Sequence, residues 1–315
     1  MSEPRYRLAP ILIAGLLAAG TASAQTNPVW GEAKIRNYLP HMSWTEVENL
    51  LTRTDMVIFP VGALEQHGPH LPIGTDFLNG LERAKLIAQR TDVLVAPILL
   101  PGNSPYHQAF PGTVTLPAEL IQEVYFEAAK SLMQNGFRRF LVLNSHGGNR
   151  VISQYIADRI NHETEGIAVE LGQAAGPFRE ARDTAPTDEP AVFDRHGGVG
   201  ETSTSLYLIP DLVELGNART ATLSAPDHLG AMLPDVVVGD PTALRVFLAE
   251  SLKAEATGKG TSTQEMTDTG VWSERDLEDS SVERGRRTAE AFVDAAVAFI
   301  ERWKELRPLG ASPDR

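Results

Sequence analysis

The sequence predicts an α/β fold, a three-layer α/β/α sandwich with a mostly parallel central sheet. Two observations support this fold class. Four short apolar runs have the length and composition of buried strands, and amphipathic segments with helical periodicity lie between them. Because strands that alternate with helices build parallel sheets covered on both faces, the pattern favours a single layered domain.

The strands are expected to be buried, since the apolar runs carry almost no charge. The first of them reads Met-Val-Ile-Phe-Pro-Val and is typical of a strand covered on both faces. The predicted strands are 56–61, 93–98, 140–144 and 167–171.

Helices are predicted between and around the strands, where apolar residues recur at helical spacing. The last of them carries an apolar stripe that suits either the core or a subunit interface. Two stretches rich in Gly, Pro, Asp and Ala, 174–198 and 216–240, predict long loops. The predicted helices are 44–51, 77–90, 117–135, 150–162 and 281–306, and a further helix is expected to include Glu201 in its first turn.

The N-terminus has the pattern of a secretory signal peptide. Two arginines precede the apolar run at 8–19, and Ala-Ser-Ala at 22–24 is a small-residue cleavage site. The predicted organisation is therefore a signal peptide over 1–24, a single domain over 25–307 and a polar tail over 308–315. A cleaved signal predicts an exported protein, periplasmic or secreted, that is not bound to the membrane. An uncleaved anchor is the alternative.

The composition narrows the possible chemistry. The 315 residues include 41 Asp and Glu against 28 Lys and Arg, which gives a formal net charge of −13. Because nucleic acids are bound by clustered Lys and Arg, this balance argues against them as partners. The chain has no cysteine, so disulfides are excluded, and so are thiolates as metal ligands or nucleophiles.

The first stretch that can carry chemistry follows the strand 56–61 and reads Glu-Gln-His-Gly-Pro-His-Leu-Pro-Ile-Gly-Thr-Asp over 65–76. Glu65 and His67 are two residues apart, so their side chains share one face of an extended chain. A turn rich in Pro and Gly can bring Asp76 back towards them. Carboxylates and imidazoles at this spacing suit a divalent ion such as zinc or manganese.

Two further histidines stand in glycine-rich segments. His146 follows the strand 140–144 in Asn-Ser-His-Gly-Gly-Asn, where glycines let a ligand approach the backbone. Such a histidine is structural about as often as it is functional. His196 precedes Gly-Gly-Val-Gly and Glu201. Taken separately, His196 also suits a solvated loop, and Glu201 suits the macrodipole at a helix N-terminus.

The loop at 102–113 follows the second predicted strand and contains Ser104, Tyr106 and His107. It should therefore lie at the same edge of the sheet as the other motifs, where it can line a pocket. An ordinary loop closed by Pro and Gly is an equal alternative.

Together these segments resemble the creatininase family of metal-dependent amidohydrolases. The stretch at 60–76 resembles the signature of that family and reads Pro-Val-Gly-x-x-Glu-Gln-His-Gly-Pro-His-Leu-Pro-x-Gly-Thr-Asp. The other motifs follow in the family's order. The resemblance covers residues 43–303, nearly all of the expected mature chain. The other matching motifs are Ser-x-x-His-x-x-Phe-Pro-Gly-Thr at 104–113, Asn-x-His-Gly-Gly-Asn at 144–149, His-x-Gly-x-x-Glu-Thr-Ser at 196–203 and Gly-Val-Trp at 270–272.

The resemblance implies a centre of two divalent ions, zinc and/or manganese, with iron also possible. It implies that Asp76 bridges the ions and that His196 transfers a proton during the reaction. The ligands that it implies are Glu65, His67, Asp76, His146 and Glu201. Contacts with the substrate are expected from Ser104, Tyr106, His107, Gly147 and Gly148, and His70 and Asn149 are expected to support the ligands.

The expected function is hydrolysis of a carbon–nitrogen bond in a small amide, such as a cyclic amide or formamide, by a hydroxide on the two metal ions. In creatinine hydrolases, aromatic and acidic residues follow the metal-binding histidine. Here Gly147 and Gly148 follow His146, so creatinine is not the expected substrate. The alternatives are a metallopeptidase acting on short peptides and a non-catalytic metal-binding protein. The resemblance also implies a homo-oligomer, a hexamer, that acts on a small molecule.

Overall fold

A parallel four-stranded sheet forms the centre of the fold in the computed structural model. Its strands are β1 (Met56–Val61), β2 (Leu94–Val95), β3 (Arg139–Asn144) and β4 (Ile167–Glu170), in the spatial order β2-β1-β3-β4. β1 pairs with β3 along its whole length, so that Val61 lies opposite Asn144. The carboxyl ends of these two central strands therefore lie side by side.

Helices pack on this sheet and on the segments beyond it within the residues that the structure describes, namely 33–180, 193–221, 223–225, 230–250 and 262–310. They are α1 (Trp44–Leu51), α2 (Thr75–Thr91), α3 (Ala118–Gln134), α4 (Arg150–Glu163), α5 (Leu171–Glu180), α6 (Val199–Leu208), α7 (Leu233–Val237), α8 (Pro241–Glu250), α9 (Ser262–Met266) and α10 (Val282–Leu306). None of these helices is long and apolar enough to cross a membrane. The described residues from Ile35 onward belong to one compact unit.

The side chains of the central strands alternate between two apolar cores, as the pleat of a strand requires. Phe59 of β1 lies in one core with residues of α3 and α4, such as Ile156. Its neighbour Ile58 lies in the other core with residues of α2, α5 and α10, such as Val293. Helices therefore cover both faces of the sheet, and the predicted α/β/α sandwich is confirmed.

The sequence does not predict the second sheet, which is antiparallel and has two strands. It pairs β5 (Asp194–His196) with β6 (Trp272–Ser273). The carboxylate of Asp194 accepts hydrogen bonds from the Ser273 hydroxyl and from the Val199 backbone N–H, both at 2.9 Å. These bonds tie β5 and β6 to the first residue of α6, and strands this short leave no periodic pattern in the sequence.

The structure corrects several of the predicted element bounds. The predicted strand 93–98 shortens to β2, because its pairing with β1 ends where the Ala96 N–H donates to the Ile58 carbonyl at 3.0 Å. The predicted loop 174–198 contains the end of α5 and the whole of β5. The Glu170 carboxylate accepts the Gln173 N–H at 2.7 Å, which caps the first turn of α5 and starts a helix there.

The predicted loop 216–240 also contains helical structure. The short 3-10 helix Leu215–Asn217 overlaps its start, and α7 lies within it. The predicted helix 77–90 begins earlier, at Thr75, so that Asp76 belongs to the first turn of α2. Several predicted segments lie outside the described residues, namely the signal peptide 1–24, the loop residues 181–192, 222 and 226–229, and the tail residues 311–315, and so do 25–32 and 251–261 of the predicted domain.

Candidate metal centre

Carboxylates and imidazoles from distant parts of the chain meet beyond the carboxyl ends of β1 and β3. Glu65 and His67 lie in the segment after β1, and His146 follows β3. Asp76 comes from the first turn of α2 and Glu201 from the first turn of α6. This edge of an open parallel sheet is where α/β proteins bind their ligands.

His67 directs its Nε2 atom at two carboxylates. Its Nδ1–H donates to the backbone carbonyl of Glu65 at 3.1 Å, which leaves Nε2 as the unprotonated nitrogen of the neutral ring. Nε2 lies 3.3 Å from Asp76 Oδ1 and 3.7 Å from Glu201 Oε2. Because the side chain is fully buried, this lone pair is directed into the cluster and away from solvent.

His146 has the opposite orientation, with Nδ1 towards the cluster. Its Nε2–H donates to the backbone carbonyl of Asn103 at 3.1 Å. Nδ1 lies 2.9 Å from Asp76 Oδ2 and 3.1 Å from Glu65 Oε1. Donation from the second ring nitrogen to a carbonyl is the usual way in which proteins orient a metal-binding histidine, and both His67 and His146 have this arrangement.

Asp76 lies between the two imidazoles and turns one oxygen to each. Its backbone is held in place because the Ser145 hydroxyl donates to the Asp76 carbonyl at 2.8 Å. Gly62, directly after β1, lets the first turn of α2 approach closely, since a Cβ on Gly62 would lie 2.6 Å from the Phe77 nitrogen. A carboxylate that presents its two oxygens to two groups of donors has the geometry of a bridging ligand.

The donor atoms of this cluster fit divalent cations. Three of its buried atoms have no hydrogen bond within the described part of the chain: Glu65 Oε2, His67 Nε2 and Asp76 Oδ2. One donor atom from each of these residues lies within 4.8 Å of the others. Buried polar atoms without a partner are costly unless a cation or a proton pairs with them. Carboxylate and imidazole are also the ligand types that zinc and manganese accept.

The electrostatics of the cluster favour bound positive charge. Burial opposes protonation of His67, but the Asp76 and Glu201 carboxylates outweigh it and raise the pKa of His67 to about 10. Glu65 and Asp76 likewise raise the pKa of His146, against burial. In return, the two imidazoles hold the pKa of Asp76 well below its usual range, although burial opposes this. The cluster therefore binds positive charge, either as protons on the imidazoles or as divalent cations.

Glu201 of α6 lies at the edge of the cluster. Its Oε2 atom accepts a hydrogen bond from the Gly197 N–H at 2.6 Å. Its partial burial raises its pKa to about 7, although the nearby His67 opposes this shift. The Glu201 side chain is 35% exposed, whereas that of Glu65 is 1% exposed. The cluster therefore opens to solvent on the Glu201 side.

His196 ends β5 and lies beside the cluster rather than in a solvated loop. Its Nε2–H donates to the Gln66 carbonyl at 2.5 Å, so Nδ1 is the basic nitrogen, 3.7 Å from Glu65 Oε1. The ring lies between those of His67 and His107, with centroids 4.2 and 4.1 Å away. Burial and the two neighbouring imidazoles lower the pKa of His196 well below its usual range, so its ring is neutral.

The loop after β2 brings three of the predicted substrate residues to the cluster. Ser104 Oγ and Tyr106 Oη lie 3.1 and 3.3 Å from His146 Nε2. His107 Nε2 lies 3.7 Å from Glu65 Oε2, so His107 contacts a candidate ligand directly. Ser104 is fully buried, whereas Tyr106 is half-buried and is the better placed of the two to touch a substrate.

Gly147 and Gly148 have different surroundings although they are neighbours. A Cβ on Gly148 would collide with the Asn103 carbonyl and the Tyr106 hydroxyl, and would lie 2.5 Å from His146 Nε2. A Cβ on Gly147 would meet no heavy atom within 4 Å. The structure thus brings Gly148 against the cluster and leaves Gly147 exposed at its rim.

His70 and Asn149 connect the segments that carry the cluster. His70 Nε2 lies 2.8 Å from Thr202 Oγ1 in α6, and burial lowers the pKa of His70 to about 4. Asn149 donates to the Gly62 carbonyl at 2.8 Å and accepts the Asn103 N–H at 3.0 Å. The Asn149 side chain thus holds Asn103 in place, and the Asn103 carbonyl in turn orients the His146 imidazole.

Two residues that the sequence did not single out also hold the site together. Gln66 orients His196 through its backbone carbonyl, and its side-chain Nε2 donates to the Gly270 carbonyl at 3.0 Å and lies 3.2 Å from His107 Nδ1. Asp194 fixes β5 to α6 as described above. The position of Gln66 between two predicted ligands is a usable signal, whereas no local pattern marks Asp194.

Comparison with known proteins identifies the family. The creatininase family model, described as creatinine amidohydrolase, matches residues 40–300. The chain belongs to the creatininase family. This membership confirms the resemblance found in the sequence, and it confirms the prediction of a metal-dependent hydrolase that acts on carbon–nitrogen bonds.

Individual relatives have different substrates. A mycofactocin precursor peptide peptidase from Mycolicibacterium smegmatis is 30% identical, over 64% of this chain and 80% of its own. A creatinine amidohydrolase from Pseudomonas putida is 30% identical, over 65% of this chain and 82% of its own. Among solved structures, a mutant creatininase described as Zn-Zn type covers 86% of this chain and 98% of its own, with a TM-score of 0.59 at 23% identity. This last likeness supports the fold.

Proposed function

We propose that this chain hydrolyses a carbon–nitrogen bond in a small non-peptide amide, such as a cyclic amide or a formamide, at a centre of two divalent ions. The observation that carries the proposal is the position of Asp76. Its Oδ1 lies with His67 and Glu201, and its Oδ2 lies with Glu65 and His146. A relative that acts on creatinine supports a non-peptide amide as the substrate class.

Each of these two groups of donors would hold one ion, with Asp76 contributing to both. When bound, the ions lower the pKa of a water molecule and polarise the amide carbonyl. Three carboxylates against two divalent cations leave about one net positive charge, which stabilises the negative charge that develops on the substrate. Zinc and manganese suit this set of ligands, and iron is a further candidate.

His196 is the residue proposed for proton transfer. Its Nδ1 is free to accept a proton because its Nε2–H is held by the Gln66 carbonyl. The neutral ring takes a proton from the attacking water and passes it to the leaving nitrogen, which must be protonated before it departs as an amine. Burial raises the pKa of Tyr106, so its hydroxyl stays protonated and can donate to the substrate.

A metallopeptidase that acts on short peptides is the second candidate. One relative is a peptide peptidase, and the open side of the cluster at Glu201 gives an extended substrate room to enter. A non-catalytic metal-binding protein is the third candidate. It would need the ligands but not His196, whose neutral ring is held beside Glu65 between the imidazoles of His67 and His107.

Export and assembly complete the proposal. We propose that the segment 1–24 directs export to the periplasm or the medium, so that the mature chain begins at Gln25. N-terminal sequencing of protein from the periplasmic fraction checks this, and a chain that keeps Met1 would contradict it. We also propose a homo-oligomer, a hexamer by family resemblance, which light scattering of the purified protein measures.

His196→Ala tests the proposed function against the other two candidates. The metal-loaded wild type is assayed on lactams, formamides, other small amides and dipeptides, and we expect it to hydrolyse a non-peptide amide. His196→Ala should lose about 10²–10⁴-fold in kcat, the usual contribution of a general acid–base, and should keep its metal content. His162→Ala, which removes an exposed histidine of α4, is the control and should retain full activity.

The alternative outcomes of this experiment are distinct. Preferred turnover of dipeptides would favour the metallopeptidase. Metal-loaded wild type that hydrolyses nothing in the panel would favour a binding protein. Loss of metal from His196→Ala would make His196 a ligand and would contradict its role in proton transfer.

A further inference from the structure

A half-buried arginine lies beside the metal cluster on the helix that supplies Asp76. Arg83 follows Asp76 by seven residues in α2, so the two side chains lie on one face of the helix, two turns apart. On the same face between them, Asn79 donates to the Ser205 hydroxyl at 2.9 Å and fixes this face against α6. Arg83 therefore lies on the same side of α2 as Asp76, and the Glu201 and Asp76 carboxylates are near enough to act on its charge.

The guanidinium group of Arg83 lacks an acidic partner in the described part of the chain. Its Nε is buried without a hydrogen bond, and its guanidinium carbon lies 5.9 Å from the centre of the Phe292 ring. Other arginines of low exposure are paired, as Arg139 is with Asp55 and Arg159 is with acidic residues of α3 and α4. An unpaired guanidinium at such a position is costly unless an anion binds to it.

A second guanidinium adds to this positive charge. Arg179, in the last turn of α5, is exposed and is close enough to Arg83 for their like charges to oppose each other. Glu201 and Asp76 offset part of this repulsion. Both carboxylates, however, are ligands of the proposed ions, which neutralise them. The two arginines would then face a region of positive charge, which favours the binding of an anion beside Arg83.

We propose that Arg83 and Arg179 form a subsite that binds an anionic group of the substrate, a carboxylate or a phosphate, beside the Glu201 side of the centre. Planar guanidinium groups bind either oxyanion through paired, charge-assisted hydrogen bonds. The subsite rests on the proposed function and narrows its substrate class to amides that carry such a group. Since the whole chain carries a net charge of −13, a local pair of arginines is also needed to attract an anion.

Three matched substrates test the subsite on the metal-loaded full chain. N-acetylglycine carries a carboxylate, N-acetyl-aminomethylphosphonate carries a phosphorus oxyanion, and N-acetylglycine methyl ester is neutral. We measure kcat/KM for hydrolysis and, independently, the affinity of each compound by calorimetric titration. The variants are Arg83→Met, which keeps an apolar stem against Phe292, and Arg90→Met, a matched control on the same helix whose exposed arginine pairs with Asp294 at 2.7 Å.

The wild type should prefer one of the two anionic compounds over the ester by about tenfold or more, as charged hydrogen bonds of this kind contribute. Which of the two it prefers distinguishes a carboxylate subsite from a phosphate subsite. Arg83→Met should lose the preference in both measurements while keeping its metal content, and Arg90→Met should retain it. If Arg83→Met fails to fold, the exposed Arg179→Met variant should still show a reduced preference.

A wild type that binds the ester as well as the anionic compounds would overturn the subsite, and so would an Arg83→Met variant that keeps the full preference. Failure of the proposed function has a different signature. In that case none of the three amides is hydrolysed, but the titrations still report whether the anionic compounds bind through Arg83.

Discussion

Individual hydrogen bonds decide which nitrogen of each imidazole faces the cluster. In His67 and His146 one ring nitrogen donates to a backbone carbonyl, so the other is left to face carboxylates. The position of the Asn103 carbonyl thus matters as much as the imidazole that it orients. Side chains that crowd this carbonyl should affect metal binding even though they bind no metal themselves.

Gly148→Ala should lower metal affinity by about 10- to 100-fold, the usual effect of disturbing a group that orients a ligand. Its added methyl group would collide with the Asn103 carbonyl and push against His146. Gly147→Ala is the matched control, because a Cβ there meets no heavy atom within 4 Å. Competition with a calibrated chelator measures the affinity. Equal losses in both variants would show that the close contacts at Gly148 are not the cause.

His70 should make the metal-free protein sensitive to mild acid. Its pKa is about 4 in the folded protein, because it is buried, against the ordinary value of 6.5. Between these two pH values the unfolded chain therefore binds more protons at His70 than the folded protein does. The contribution of His70 to the free energy of unfolding is complete above pH 6.5 and is lost as the pH falls through about 4. The expected loss is about 3 kcal/mol in the free energy of unfolding.

Denaturant unfolding of chelator-treated protein at several pH values between 7 and 4 measures this loss. His70→Gln should show a clearly shallower dependence on pH than the wild type. His162→Gln, which replaces an exposed histidine, should follow the wild type. Parallel curves for the wild type and His70→Gln would rule out His70 as the group that titrates.

The proposed ligands are easier to predict from the sequence than the residues that orient them. Glu65, His67 and Asp76 stand within one short motif whose residue types suit metal binding. The Gln66 carbonyl and the Asp194 carboxylate act through contacts with segments far away in the sequence. Such contacts leave no local pattern, so only the structure could reveal them.

At the scale of secondary structure, the packing of α10 against α6 fixes the helix that carries Glu201. Gly285 of α10 lies so close to α6 that a Cβ on it would collide with the Ser203 carbonyl and lie 2.9 Å from the Thr204 nitrogen. Backbone atoms cannot rotate away as a flexible side chain can. The separation of these two helices therefore depends on a residue without a side chain.

Gly285→Ala should destabilise the protein by about 1–3 kcal/mol, as overpacking of a core does. Gly176→Ala is the matched control, since Gly176 is also helical, in α5, and a Cβ on it meets no heavy atom within 4 Å. This control should gain about 0.5–1 kcal/mol from its higher helix propensity. Denaturant unfolding measures both, and a Gly285→Ala variant as stable as the wild type would show that the helices can move apart freely.

The main elements of the layered core could be predicted because each is long enough to show its period. The continuous apolar run of β1 and the apolar stripe on α10 both appear in the sequence. β5 and β6 could not be predicted, since two or three residues show no period. α5 was missed because its start depends on a side-chain cap from Glu170 and because Pro177 lies within it.

At the scale of the whole molecule, the chain assembles one site from segments that are far apart in sequence. Adjacent parallel strands bring Glu65 and His146 together at one edge of the sheet, and this could be expected from the fold class. β5 and α6 bring His196 and Glu201 to this site, and their position depends on the second sheet, which the sequence does not predict. The family resemblance supplied Glu201 and His196 as site residues where the sequence alone left both open.

We propose that one carboxylate, Asp76, is shared by two divalent ions. Elemental analysis of protein purified under metal-replete conditions tests this claim most directly. The wild type should contain about two ions per chain, Asp76→Asn about none and Glu201→Gln about one, because only Asp76 faces both groups of donors. The matched control Asp294→Asn, at an exposed ion pair with Arg90, should match the wild type. A wild type with less than about one ion per chain, or an Asp76→Asn variant that retains two, would contradict a bridged pair of ions.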